Sequence, residues 1–180
     1  MLMERASSSL LLVDVQEKLL PAMHAKEDVM NNTIWLTRIA QRLEIPVAAT
    51  EQYPRGLGYT HPDLRALLAA EAVSEKLHFS CVAAGCLPRL PGADRRQVVV
   101  CGIESHVCVL QTAMQLRAQG KEVFVVADCV SSRRPADKDL ALARMRGHGI
   151  EVVSREMVAF EWLHQSGTAE FKEISANFLR

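Results

Sequence analysis

Three residues with reactive side chains stand at the ends of short apolar runs in this sequence: Asp14, Lys76 and Cys108. A carboxylate can move protons, an ammonium group can stabilise negative charge, and a thiol can attack a carbonyl carbon. In open parallel sheets the ligand crevice lies beyond the carboxyl ends of the strands. Residues at those ends are therefore candidates for one common site, although their spacing along the chain does not by itself bring them together.

Cys108 has the most distinctive setting of the five cysteines. It follows the apolar run 97–101 and falls in the first turn of a helix predicted over 105–119. The partial positive charge at a helix N-terminus favours thiolate over thiol, which predicts a lowered pKa for Cys108. Backbone donors of the same turn can also stabilise an oxyanion. The other four are expected to be small buried hydrophobic residues: Cys81, Cys86, Cys101 and Cys129.

Asp14 and Lys76 each allow two interpretations. Asp14 is either a catalytic carboxylate at the crevice or the N-cap of a helix that begins near Gln16. Lys76 ends a weaker apolar run, and a lone lysine is usually a solvated surface charge. At a strand end that faces the same crevice, it could instead pair with Asp14 and place positive charge near a thiolate.

The elements that must position these residues alternate along the chain, since short apolar runs are separated by helix-length amphipathic stretches. This pattern is typical of a parallel sheet built from β-α-β units. It predicts a three-layer α/β/α fold with a central, mostly parallel six-stranded sheet, in a single domain over residues 1–180. The predicted strands are 9–15, 46–50, 72–75, 97–101, 122–127 and 151–154, and the predicted helices are 28–43, 105–119, 137–146, 156–164 and 168–178.

Composition limits the class of function. The chain of 180 residues is 49% hydrophobic, which suffices for one core. Its 21 basic and 21 acidic side chains leave no net charge to attract nucleic acid or a membrane surface. No run is long enough for a membrane span or a secretory signal, so a cytoplasmic location is expected. The cysteines are odd in number and lack a Cys-x-x-Cys pair, which predicts free thiols.

Four segments of the sequence, in order, resemble the isochorismatase-like, or cysteine hydrolase, superfamily. They are Leu11-Leu12-Val13-Asp14-Val15-Gln16, Thr50-Glu51-Gln52-Tyr53-Pro54-Arg55-Gly56-Leu57-Gly58, Lys76 with Phe79-Ser80, and Gly102-Ile103-Glu104-Ser105-His106-Val107-Cys108-Val109. The resemblance implies the Rossmann-like fold of these hydrolases and an Asp-Lys-Cys triad. It also implies a cis peptide bond between Ile103 and Glu104. This bond belongs to a turn that forms the oxyanion hole, which maps onto Ile103, Glu104 and Cys108.

The sequence differs from two branches of the superfamily, and these differences limit the expected metal content and reaction. Nicotinamidases carry an Asp and His metal cluster in a Trp-His-Pro setting, where this chain has Tyr53-Pro54-Arg55, so we expect no metal and no cofactor. Isochorismatases proper lack the nucleophilic cysteine, so Cys108 argues against vinyl-ether hydrolysis of isochorismate. The sequence is most similar to the poorly characterised isochorismatase-domain branch.

The resemblance implies a homo-oligomeric hydrolase, dimeric or larger, that cleaves a small amide, carbamoyl or related C–N substrate through a thioester on Cys108. Position suggests that the substrate pocket includes Gln16, Gln52, Tyr53, Phe79 and His106.

Alternatives from other classes stay open. A binding or scaffold protein could keep this fold without turnover. A phosphatase with Asp14 as its nucleophile is disfavoured because Gln16 stands where such enzymes place a second aspartate. A nicotinamide-dinucleotide oxidoreductase is disfavoured because no Gly-x-Gly-x-x-Gly run follows a predicted strand.

Overall fold

The computed structural model describes residues 1–179, and its central element is one sheet of six parallel strands. The spatial order of the strands is β3-β2-β1-β4-β5-β6. In chain order they are β1 (Ser8–Val13), β2 (Val47–Gln52), β3 (Val73–Lys76), β4 (Gln97–Ile103), β5 (Glu122–Ser131) and β6 (Glu151–Val153).

Helices cover both faces of this sheet. Three of them contribute buried side chains to one face: α1 (Lys26–Arg42), α6 (Arg155–Leu163) and α7 (Ala169–Phe178). The opposite face carries α4 (Leu110–Ala118) and α5 (Pro135–Gly147). Two short helices, α2 (Pro54–Leu57) and α3 (Pro62–Arg65), lie between β2 and β3. The three-layer α/β/α fold is confirmed. Within residues 1–179, no helix has the length and apolar character needed to cross a membrane.

The central strand β1 shows why the sequence forms buried parallel strands. All six of its residues are buried. Leu10 and Leu12 pack toward one helical layer, while Leu11 and Val13 pack toward the other. A strand covered on both faces needs apolar side chains at successive positions, and each leucine buried in this way stabilises the fold by about 1.5–3 kcal/mol.

The path of the chain reverses the strand order between β1 and β4. From β1 the chain moves outward to β2 and β3, and then returns to place β4 on the other side of β1. Ligands of open α/β sheets bind where the strand order reverses in this way. Asp14 directly follows β1, and the turn that carries Cys108 directly follows β4. The topology thus places both residues at the edge of the sheet where a ligand crevice is expected.

The helix predicted over 105–119 is divided in the structure. Residues Ser105–Val109 form a π turn, and α4 begins only after it. The N–H of Val109 donates to the carbonyl of Glu104 over 3.2 Å, which is the five-residue spacing of a π-helix. Such turns insert a residue into a helix and are frequent at functional sites. Cys108 therefore lies in a widened turn and not in the first turn of a regular α-helix.

Gly102 permits the close approach of β4 to β1 just before the π turn. Its φ is +128°, and a Cβ atom there would lie 2.0 Å from the carbonyl oxygen of Val13. Because both atoms belong to paired central strands, neither can move away cheaply. We expect Gly102→Ala to lower the free energy of unfolding by about 3 kcal/mol or more, measured by urea denaturation.

The matched control for this change is Gly147→Ala at the end of α5. A Cβ at Gly147 would meet nothing within 4 Å. We expect this substitution to change the stability by less than about 1 kcal/mol. Equal losses of stability in the two variants would contradict the steric explanation.

Candidate active site

Asp14 is a fully buried carboxylate that is held by a donor at each oxygen. The Nζ of Lys76 donates to Oδ2 over 2.7 Å, and the hydroxyl of Thr50 donates to Oδ1 over 2.8 Å. The side chains of Asp14 and Lys76 are both 0% exposed. Asp14 also adopts a φ of +52°, in the left-handed region that costs an L-residue about 1–2 kcal/mol. No helix begins at Gln16, which pairs with Thr60, so the N-cap interpretation of Asp14 is wrong.

Lys76 is enclosed by oxygen atoms. Besides Asp14, its ammonium group donates to Oε1 of Gln52 over 2.7 Å and to the carbonyl of Phe79 over 2.9 Å. A longer contact of 3.3 Å reaches the carbonyl of His78. These acceptors use all three N–H donors. A buried ion pair is stable only when such additional hydrogen bonds compensate for lost hydration. Lys76 is thus not a surface charge but the buried ion-pair partner of Asp14.

Cys108 lies within the electrostatic influence of this pair. Burial raises the pKa of its thiol far above the usual range, and the negative charge of Asp14 raises it further, while Lys76 acts in the opposite direction. The prediction that a helix N-terminus would lower this pKa is wrong, because the loss of water around the sulfur outweighs the favourable charges. Burial and the charge of Asp14 therefore both favour the neutral thiol over the thiolate at Cys108.

All five cysteines are free thiols, as predicted. Cys108 is 6% exposed, whereas the other four are at most 1% exposed. Burial raises the pKa of Cys81 to about 12. We therefore expect iodoacetamide to alkylate Cys108 faster than the other four cysteines, because the reagent can reach its sulfur more easily.

Gln16, which was predicted to line the substrate pocket, bonds to the backbone of neighbouring segments. Its side chain is 0% exposed and makes three hydrogen bonds to backbone groups. The amide nitrogen donates to the carbonyls of Gln52 and Gly58 over 3.0 and 2.6 Å, and the amide oxygen accepts the N–H of Gln52 over 2.7 Å. Gln16 therefore ties the end of β1 to the end of β2 and the loop that follows.

The other four predicted pocket residues differ in their surroundings. Gln52 is 8% exposed and bridges Nζ of Lys76 to the carbonyl of Leu77, so it orients the lysine. Tyr53 and Phe79 are each 51% exposed, which leaves their rings available to a ligand. His106 is half-buried, and its Nδ1 lies 2.8 Å from the hydroxyl of Ser132.

The turn between β4 and Cys108 is held by backbone and charged contacts. The peptide bond between Ile103 and Glu104 is cis. The carboxylate of Glu104 accepts the backbone N–H of Arg133 over 3.2 Å and its Nε–H over 3.0 Å. The carbonyl of Glu104 accepts N–H groups of the π turn. These contacts attach the turn to the start of the segment that leads into α5.

Thr50 is the residue of the site that sequence reasoning missed. It was noted only as part of a resembling segment, yet its hydroxyl binds Asp14 directly. A signal was present, because Thr50 is a polar residue near the carboxyl end of a strand whose preceding residues are apolar.

Within residues 1–179, no group of three or more His, Cys, Asp or Glu side chains could hold a metal ion. Independence of metals stays a prediction.

Comparison with known proteins shows the family to which the chain belongs. Residues 8–157 match the family described as the isochorismatase domain. The chain belongs to the isochorismatase family. It is 38% identical over 170 residues to isochorismatase domain-containing protein 2 of Danio rerio, across 93% of this chain and 84% of that protein. It is 41% identical over 164 residues to isochorismatase domain-containing protein 1 of Salmo salar, across 89% of this chain and 57% of that one.

Solved structures of the isochorismatase fold superimpose on the whole chain. One, described as MAR1 ribonuclease of Caenorhabditis elegans, has a TM-score of 0.89 at 32% identity and covers 100% of this chain and 93% of its own. Another, the YcaC gene product of Escherichia coli, described as an octameric hydrolase of unknown specificity, has a TM-score of 0.91 at 21% identity, with coverage of 99% and 91%. The YcaC likeness, at 21% identity, shows that the two chains share a fold.

Proposed function

We propose that this member of the isochorismatase family is a cysteine-dependent hydrolase of small amide, carbamoyl or related C–N substrates. The observation that carries the proposal is a fully buried Asp14–Lys76 ion pair whose charges act on the thiol of Cys108. A neutral thiol needs a base as it attacks a carbonyl, and the carboxylate of Asp14 can accept that proton. Lys76 and Thr50 each donate a hydrogen bond to the carboxylate and hold it in place for this transfer.

In the first half of the reaction, Asp14 takes the proton from Cys108 while the sulfur bonds to the substrate carbonyl carbon. The carbonyl oxygen becomes an oxyanion, which backbone N–H groups of Glu104 and Cys108 would stabilise. The oxyanion then collapses, the C–N bond breaks, and Asp14 returns its proton to the departing nitrogen. The products of this half are an amine and a thioester on Cys108.

In the second half, Asp14 accepts a proton from water while the water oxygen attacks the thioester carbonyl carbon. The C–S bond breaks, the sulfur recovers the proton from Asp14, and the acid leaves. Lys76 remains charged throughout, since its donors are already bound to fixed oxygens. The exposed rings of Tyr53 and Phe79 are proposed as contacts for the substrate, as is His106.

Two rival functions differ from this proposal. A phosphatase with Asp14 as its nucleophile stays disfavoured because Gln16 stands where such enzymes place a second aspartate. A binding protein without turnover would form no covalent intermediate on Cys108, whereas the proposed hydrolase would.

RNA is a second candidate substrate because the C. elegans relative is described as a ribonuclease. The absence of net charge disfavours it.

The proposal is tested by capturing the acyl-enzyme. The protein is mixed with p-nitrophenyl acetate, an activated ester, quenched with acid and analysed by peptide mass spectrometry. We expect an acetyl group on the Cys108 peptide in the wild type and in Cys129→Ala, whose altered residue is buried in the core. A screen of amides, carbamoyl compounds and RNA then defines the substrate.

Acetylation elsewhere, or hydrolysis of a screened substrate with no adduct on Cys108, would rule out the thioester mechanism.

The assembly of the protein is a separate proposal. We propose a homo-oligomer, for which the octameric description of the E. coli neighbour is the support, and sedimentation velocity tests it.

A further inference from the structure

We infer that Thr50 is a positioning residue for acid-base chemistry, because its hydroxyl holds Asp14 ionised and in one orientation. The inference rests on the proposed function, in which Asp14 is the base. None of the predicted triad or pocket roles includes Thr50.

Thr50 holds Asp14 with both its backbone and its side chain. It lies near the end of β2, is 0% exposed and pairs in register with Val13 of β1. Its carbonyl accepts the backbone N–H of Asp14 over 3.1 Å, and its hydroxyl donates to Oδ1 over 2.8 Å. Since Lys76 occupies Oδ2, the carboxylate has a donor at each oxygen and its plane is fixed.

The hydroxyl contributes something that Lys76 does not. The charge of an ammonium group acts over several ångströms, whereas a hydroxyl stabilises an anion only through a direct hydrogen bond. If that donor is removed, one oxygen of the Asp14 carboxylate, which is 0% exposed to solvent, loses its hydrogen-bond partner. The neutral form of Asp14 then becomes relatively more favourable. A neutral Asp14 cannot accept the thiol proton.

One face of β2 supports both members of the ion pair. Thr50 and Gln52 are two residues apart in the strand, so their side chains leave it on the same side. Thr50 binds Asp14, and Gln52 binds Lys76. Glu51, between them, points to the other side and accepts the hydroxyl of Thr60 over 2.7 Å. Thr60 is 3% exposed, so its bond to a buried carboxylate is the matched control for that of Thr50.

The decisive measurement is the ionisation of Asp14 itself. Protein with ¹³C-labelled aspartate carboxyl groups is titrated by NMR, and the Asp14 signal is assigned by its loss in Asp14→Asn. We expect Thr50→Val to move the midpoint of this titration to higher pH by about one unit. Thr60→Val should leave the midpoint where it is in the wild type, and Thr50→Ser should restore it.

A midpoint that is unchanged in Thr50→Val, or shifted equally in Thr60→Val, would overturn the inference. If circular dichroism shows that Thr50→Val does not fold, Thr50→Ala is titrated and judged by the same outcomes. A second readout is the rate of Cys108 acetylation by p-nitrophenyl acetate against pH, whose acid limb should shift with the NMR midpoint. If wild-type Cys108 is not acetylated, the proposed function fails, while the titration still decides the role of Thr50.

Discussion

Replacing Cys108 by alanine is expected to abolish hydrolysis, with a loss in kcat of about a million-fold on the substrate that the screen identifies. Without the sulfur no thioester can form, and Asp14 has no proton to accept from residue 108. The measurement is steady-state kinetics, together with the loss of the p-nitrophenol burst that accompanies acetylation of the wild type. The fold should persist, because Cys108 is a small side chain and alanine is a good helix former.

Cys129→Ala is the control for this experiment. Cys129 is 0% exposed and lies on β5. Its replacement by alanine removes one sulfur atom, as does the replacement of Cys108. It should retain turnover, although it loses some stability through the small cavity left behind. Wild-type kcat in Cys108→Ala would show that the thioester mechanism is wrong and would direct attention to chemistry centred on Asp14.

Asp14→Asn is expected to change two rates in opposite directions. Turnover should fall by about 10²- to 10⁴-fold, because an amide cannot accept the thiol proton. Alkylation of Cys108 by iodoacetamide should become faster. The negative charge of Asp14 is one cause of the raised pKa of the Cys108 thiol, so its removal lowers that pKa. At any fixed pH below the pKa, a lower pKa means a larger thiolate fraction and faster alkylation.

The alkylation rate is measured by mass spectrometry of the Cys108 peptide after timed quenching at mildly alkaline pH. Glu51→Gln is the matched control, since Glu51 is also a buried carboxylate near the end of β2 but binds Thr60. It should alkylate at the wild-type rate. Slower alkylation in Asp14→Asn would show that Asp14 does not keep the resting thiol neutral by its charge.

Family and architecture followed from local features of the sequence. Buried parallel strands require short apolar runs, and these are visible in a single sequence, so each of the six predicted strands overlaps one in the structure. The segments around Asp14, Lys76 and Cys108 carried the resemblance, and the match over residues 8–157 confirms it. Placing the reactive residues at strand ends needed only the strand boundaries and the rule that crevices form there.

What only the tertiary structure decided is the electrostatic state of the site. Asp14 and Lys76 are 62 positions apart in the sequence but 2.7 Å apart in space. The pKa of Cys108 depends on how much water surrounds its sulfur and on charges from other strands, so a rule about its own helix predicted the wrong direction. In the same way, Gln16 and Thr50 could not be assigned until the partners of their polar atoms were known. Apolar periodicity is a local property of the chain, whereas hydration, charge and hydrogen-bond partners at a buried site come from segments that only folding brings together.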